Sequence, residues 1–226
     1  PATTEIYTVS VHDVLPLLTG QNNAFGLIGD RCRPGHYCPN ATVTPFACAP
    51  GTLSNVTGAQ NSSVCAPCPR HYFCPQSGMT NVTDAELCRP GYYCPPGQPQ
   101  SVLECPPGHY CPLGSDSPEP CSNGTYQNET GRAVCKVCPE RYYCPLGAVD
   151  PVDCPMGHYC PVNTTHATAF PCARGSFNNR TGIATQSECL ACDPGQYCFW
   201  EGMSSPSGPC TAGHYCLGGS AVPAPA

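Results

Sequence analysis

The sequence predicts a fold of small disulfide-rich repeats: an elongated rod of short β-hairpins and turns with almost no helix. Three observations lead there. Cysteine occupies 22 of 226 positions, the composition of a disulfide scaffold. Leu, Ile, Val and Phe together number only 34, too few to offset the ordering entropy of one large domain through a single apolar core. The cysteines also recur at fixed spacings, which marks a repeat architecture. Cross-links therefore replace the core, as in small secreted modules, and the expected compartment is oxidising and extracellular.

The basic tile is C-x5-C. It occurs eight times: Cys32/Cys38, Cys68/Cys74, Cys88/Cys94, Cys105/Cys111, Cys138/Cys144, Cys154/Cys160, Cys192/Cys198 and Cys210/Cys216. An aromatic residue always precedes the closing cysteine, from Tyr37 in the first box to Tyr215 in the last. Gly holds the middle position in six boxes, and His71 and Arg141 hold it in the other two. The remaining cysteines form three wider pairs, Cys48/Cys65, Cys121/Cys135 and Cys172/Cys189, each followed by C-x2-C into the next box. Their loops start alike: "CAPGTLSNVTG", "CSNGTYQNETG", "CARGSFNNRTG".

These repeats divide the chain into a Cys-free segment 1–31, a unit at 32–74 and a single box with linker at 75–104. Further units follow at 105–144 and 145–198, then a terminal box at 199–218 and a Pro/Ala tail at 219–226. Pro, Gly, Asn and Ser fill the joints and read as turns. Short extended strands are expected where a Gly or Pro turn leads into segments such as "GTY" and "GHY".

Repeat arithmetic bears on the pairing, which spacing alone does not fix. The box at 88–94 stands alone between complete units, and pairing within each box keeps every tile self-sufficient. The expected bridges are the eight within boxes plus Cys48–Cys65, Cys121–Cys135 and Cys172–Cys189. Crossed pairing between a C-x2-C and the next box is the competing scheme. Each short closure contributes roughly 2–3 kcal/mol in the loop-entropy model.

Several chemical readings fall away. The C-x2-C motifs Cys65/Cys68, Cys135/Cys138 and Cys189/Cys192 could suggest zinc or thiol redox chemistry. Adjacent structural bridges in an oxidised repeat account for them better. His36, His109, His158 and His214 share one box position, but Tyr72, Tyr92, Tyr142 and Gln196 occupy it elsewhere. A position that accepts His, Tyr or Gln is read as packing, not as metal ligation. No nucleophile triad, carboxylate pair, phosphate loop or calcium loop is present, so no catalytic residue, metal or cofactor is expected. Nine Lys plus Arg and a net charge of −6 argue against nucleic acid and anionic membrane as partners. No apolar run reaches 18 residues, so nothing is expected to insert in a bilayer. The chain begins without Met and shows no signal peptide, so it reads as a processed form or a piece of something larger.

The strongest chemical signal is N-x-[ST]. It falls at Asn40, Asn55, Asn61, Asn81, Asn123, Asn128, Asn163 and Asn179, eight of eleven asparagines. With 33 Ser plus Thr in the chain, that is far above chance, and N-glycans are expected along the array. Asn55, Asn128 and Asn179 occupy the same place in the three loops.

The ends differ from the middle. "EIYTVSVHDVLPLL" places Ile6, Tyr7, Val9 and Val11 in the most apolar strand-like stretch, with Tyr7, Val9 and Val11 on one face. "CFWEGM" places Phe199 and Trp200 where other boxes carry Pro. Either the N-terminal strand of one copy docks on the C-terminal tiles of another, or it folds back on its own first unit.

The loop "CAPGTLSNVTGAQNSSVCAPC" and its two copies resemble the ephrin-receptor-like cysteine-rich repeat, kin to growth-factor-receptor and tumour-necrosis-factor-receptor modules. The boxes "CPPGHYCPLGS", "CRPGYYCPPG" and "CPMGHYCPVN" look like the variant found in large surface proteins of protists and algae. The resemblance covers about 32–218 and implies extracellular rods without catalysis. The functional expectation is a glycosylated structural protein, a subunit of a filament or surface hair of the mastigoneme type. Its partners would be copies of itself, assembled head-to-tail. The alternative is the ectodomain of a receptor or adhesion protein that binds a protein ligand along its rod.

Overall fold

A cysteine followed three residues later by a left-handed backbone turn is the motif from which the structure is built. The computed structural model describes residues 30–81 and 86–225. In that range the motif opens eleven tiles, at Cys32, Cys48, Cys68, Cys88, Cys105, Cys121, Cys138, Cys154, Cys172, Cys192 and Cys210. The third residue after each opening cysteine has φ between 76° and 89°. It is Gly in nine tiles, and His71 and Arg141 in the others. A second left-handed turn follows nine or ten residues after the opening cysteine, at Gly114, Gly131 and Gly147 for example.

The first turn leads into a two-residue strand, and the two residues before the next opening cysteine return to pair with it. His36–Tyr37 pairs with Phe46–Ala47, Thr52–Leu53 with Ala66–Pro67, and Tyr72–Phe73 with Glu86–Leu87, all antiparallel. Tyr92–Tyr93, His109–Tyr110, Thr125–Tyr126, Tyr142–Tyr143, Ser176–Phe177 and Gln196–Tyr197 open six further hairpins of the same kind. In the tile that opens at Cys154 the hairpin shrinks to one bridge, His158 to Pro171. No α-helix occurs among the described residues; short 3-10 turns sit at Ser62–Val64 and Gln186–Glu188.

Hairpins this small are not stable alone. Backbone hydrogen bonds between tiles make up the deficit, in three recurring forms. The amide at the first left-handed turn donates into the next tile: Gly108 to Gln127 O at 2.7 Å, Gly124 to Cys144 O at 2.8 Å. The next opening cysteine donates back to the turn carbonyl: Cys121 to Gly108 O at 2.9 Å, Cys138 to Gly124 O at 2.8 Å. The second left-handed turn donates to the preceding opening cysteine: Gly131 to Cys105 O and Gly147 to Cys121 O, both 2.8 Å.

The described residues form two compact units. One holds those up to Leu87 together with Pro95–Gln100; the other holds Cys88–Cys94 and those from Ser101 on. Inside each, sulfur is the core. Of 24 buried apolar residues among those described, 17 are cysteines, so the bridges supply the buried volume that aliphatic side chains supply elsewhere. Two bridges show a side chain from their own hairpin and one from the tile before packed against the sulfurs. Tyr142 and Tyr126 pack with Cys138 and Cys144, and Tyr72 and Leu53 with Cys68 and Cys74.

Tiles two apart also touch, and at seven of the nine first-turn glycines this approach leaves no room for a Cβ; Gly195 and Gly213 face open space. A Cβ added to Gly108 would stand 2.6 Å from Gly147 O and 3.3 Å from Val149 Cγ2. Gly182, with φ 69°, has nothing within 4 Å of such an atom. Gly182→Ala is expected to cost about 1–2 kcal/mol for the left-handed backbone alone. Gly108→Ala adds a clash with fixed backbone and should exceed about 3 kcal/mol. Thermal midpoints of the two oxidised variants test this; equal shifts would show that the close approach is not tight.

Candidate functional site

The three long loops are themselves tiles, which their cysteine spacing conceals. "CAPGTLS", "CSNGTYQ" and "CARGSFN" match "CPPGHYC" position for position until the last residue. There the closing cysteine is replaced by Ser54, Gln127 or Asn178, and all three are buried. Each side chain turns the chain locally. Asn178 Nδ2 donates to Arg180 O at 2.7 Å and its Oδ1 accepts from Arg180 N at 3.0 Å. Gln127 Nε2 donates to Val134 O at 2.8 Å, and its Oε1 accepts from Glu129 N at 3.2 Å. Ser54 Oγ accepts from Val56 N at 3.3 Å. The opening cysteine then finds its partner just before the next tile, and the chain between is thrown outward.

The structure joins Cys48 to Cys65, Cys121 to Cys135 and Cys172 to Cys189 across these loops. It joins Cys32 to Cys38, Cys68 to Cys74, Cys88 to Cys94 and Cys105 to Cys111 within boxes. The same holds for Cys138 and Cys144, Cys154 and Cys160, Cys192 and Cys198, and Cys210 and Cys216.

The residue after the buried polar group is a sequon asparagine in every loop tile. Asn55, Asn128 and Asn179 are all exposed, because the side chain before each one is pinned inward. Asn40 and Asn123 are exposed as well. Asn61 caps the 3-10 turn Ser62–Val64, its Oδ1 accepting from Ser63 N at 3.0 Å. Asn81 is exposed, and its sequon runs into residues 82 and 83, which lie outside the described range. Asn163 is different: it takes the second left-handed turn at φ 66°, and its side chain lies against Gly124. At Asn128 the amide oxygen accepts from Lys136 Nζ at 2.8 Å. Lys136 also binds Glu129 at 2.9 Å, and Arg132 binds Glu129 from the other side. Hydrogen bonds from Lys136 and Arg132 hold the Glu129 carboxyl below its ordinary pKa.

The box histidines serve the turn. Nδ1 of His36, His109 and His158 lies 3.1–3.2 Å from the carbonyl two residues earlier. His36 and His158 each cover the second glycine turn of a tile two further on, Gly78 and Gly202. Among the described residues no group of three or more His, Cys, Asp or Glu is placed to hold a metal ion. Tyr110 faces Glu119 across its hairpin, and the hydrogen bond to that carboxylate raises the phenol pKa.

Of the proposed assembly contacts, Ile6, Tyr7, Val9 and Val11 lie outside the described residues. Phe199 and Trp200 form an edge-to-face pair at 4.6 Å. Arg174 covers Phe199 at 4.8 Å and donates from Nε to its carbonyl at 2.7 Å, while Trp200 is 68% exposed. Val134, Val137, Leu146, Val149 and Val152 are likewise exposed.

Stacked hairpins with a sulfur core define the class: a disulfide-rich, cysteine-rich repeat. The particular likeness is to tumor necrosis factor receptor superfamily member 9 of Mus musculus, 29% identical over 111 residues. That stretch is 47% of this chain and 41% of the mouse protein, so the chain spans less than half of the relative it matches. No protein-family model matches the sequence. No helix of the described residues is long and apolar enough to cross a membrane.

Two measurements follow from this geometry. Gln127→Leu keeps the volume but leaves Val134 O and Glu129 N without their partners, and should cost about 1–3 kcal/mol; a thermal midpoint unchanged from wild type would contradict the pinning role. Glu188 accepts from Ala184 N at 2.8 Å and Thr185 N at 3.2 Å and pairs with Arg141 at 3.3 Å. The Ala184 amide is the largest cause of its lowered pKa. A lowered folded pKa stabilises fully above the unfolded value of about 4.3 and loses that contribution as pH falls through the folded value. Hydrogen exchange at the Ala184 and Thr185 amides, corrected for intrinsic pH dependence, should therefore quicken below about pH 4. Protection that persists there would show that Glu188 does not hold this turn.

Proposed function

We propose that the chain is a glycosylated extracellular segment of a receptor or adhesion protein, binding a protein partner along its tiles without catalysis. The likeness to a member of the tumor necrosis factor receptor superfamily carries this reading. The surface supports it. Val134, Val137, Leu146, Val149 and Val152 are all exposed on neighbouring tiles of one unit, and exposed apolar side chains are what a protein partner buries. Within this kind, the boxes such as "CPPGHYC" favour the ephrin-receptor-like variant, and the eight sequons favour N-glycans on the outer faces.

A second reading, a filament or surface-hair subunit assembled head-to-tail from copies of itself, rests on Trp200. An indole that is 68% exposed beside Phe199 suits a contact between copies. The two readings separate by sedimentation velocity on the secreted full chain over a wide concentration range. The receptor reading expects a monomer throughout. It also expects saturable binding to one member of an array of extracellular domains, weakened at least tenfold by Val137→Asp with Val149→Asp. Concentration-dependent polymers abolished by Trp200→Ser would replace it with the filament reading.

A further inference from the structure

The tile that opens at Cys48 has a surface cavity of about 300 Å³. It is lined by Leu53, Val64 and Ala66 together with Asn55, Thr80 and Asn81. Hairpin register explains why it is open. Leu53 stands opposite Ala66, whereas Tyr126 stands opposite Lys136 and Phe177 opposite Leu190. A methyl group takes the place of a long side chain. In the second loop tile the lysine ammonium lies 5.9 Å from the Tyr126 ring centre and reaches Asn128; in the third, Leu190 occupies the equivalent place across from Phe177.

The geometry points to a carbohydrate seat: the first N-acetylglucosamine of a glycan on Asn55 packs into this cavity. The inference rests on N-glycosylation of the Asn55 sequon. About 300 Å³ is the lower end of small-molecule sites, the scale of one sugar residue rather than a branched glycan. The chemistry is matched. N-acetylglucosamine has a C–H face and an acetamide methyl to lay on Leu53, Val64 and Ala66. Asn55 is part of the wall, so a sugar on its amide nitrogen is tethered at the site and docks at the high effective concentration of an intramolecular contact. Beside Asn128 and Asn179 the longer side chains of Lys136 and Leu190 stand where the first loop tile has Ala66.

The test uses the full chain secreted from a eukaryotic host, native and oxidised, treated with peptide N-glycosidase, with release followed site by site by mass spectrometry. Release from Asn55 is expected to be about tenfold slower than from Asn179, the factor that burial of roughly 55 Å² of C–H surface implies. After reduction and denaturation the two rates should converge. Ala66→Lys, which installs the residue of the second loop tile, should bring the native Asn55 rate up to that of Asn179. Equal native rates, an Asn55 left bare while Asn128 and Asn179 are occupied, or a slow Asn55 rate unaffected by Ala66→Lys each overturn the seat and leave glycosylation of the array intact. A chain bare at all eight sequons overturns both.

Discussion

The left-handed turn three residues after each opening cysteine is the constraint from which the rest follows. With φ near +80°, the peptide units on either side present an amide and a carbonyl toward the following tile. Gly108 shows the pattern: its amide donates to Gln127 O and its carbonyl accepts from Cys121 N. A buried backbone group without a partner costs as much as a lost hydrogen bond, so one tile's turn compels the next tile to sit where it does. The turn also explains why the position is Gly in nine tiles. Where it is Arg141, the strained backbone, a cost of about 1–2 kcal/mol, is accompanied by a new contact. The guanidinium donates to Gly182 O at 2.8 Å, two tiles on, and pairs with Glu188.

Sulfur does the remaining work. A tile of 16 to 20 residues cannot enclose aliphatic side chains, but a disulfide is a compact apolar group that also removes chain entropy from the unfolded state. The aromatic residue of one hairpin lies on the bridge of the next, as Tyr126 does on Cys138 and Cys144. Stability is therefore built from each tile and from its contacts with the tiles one and two places along.

That division explains what could be read from the sequence. The boxes were legible because "C-x2-G-x-Y-C" concentrates the turn, the hairpin and the bridge in seven residues. The loop tiles were less so, because Ser54, Gln127 and Asn178 stand where cysteine would mark the register. Their glycine and apolar residue, Gly51 and Leu53 for instance, match a box in place, and that alignment was the available signal. The burial of the three polar groups depends on neighbours that spacing does not display: Gln127 is covered only once Val134 O has come round to accept from it. The open cavity beside Asn55 was hidden for the same reason. It arises from the cross-strand pairing of Leu53 with Ala66, and register is a property of the folded hairpin.

Because the tile is held by backbone turns and bridges, outward positions that engage no other tile are free to differ. The position opposite the loop-tile apolar residue shows this within one chain. Ala66, Lys136 and Leu190 occupy it in turn with the hairpin unchanged, yet they make a cavity, a charge-linked cover over an aromatic ring, and an apolar projection. A scaffold with that property specifies its class through its cysteines and turns, and leaves the chemistry of its surface to side chains it does not constrain.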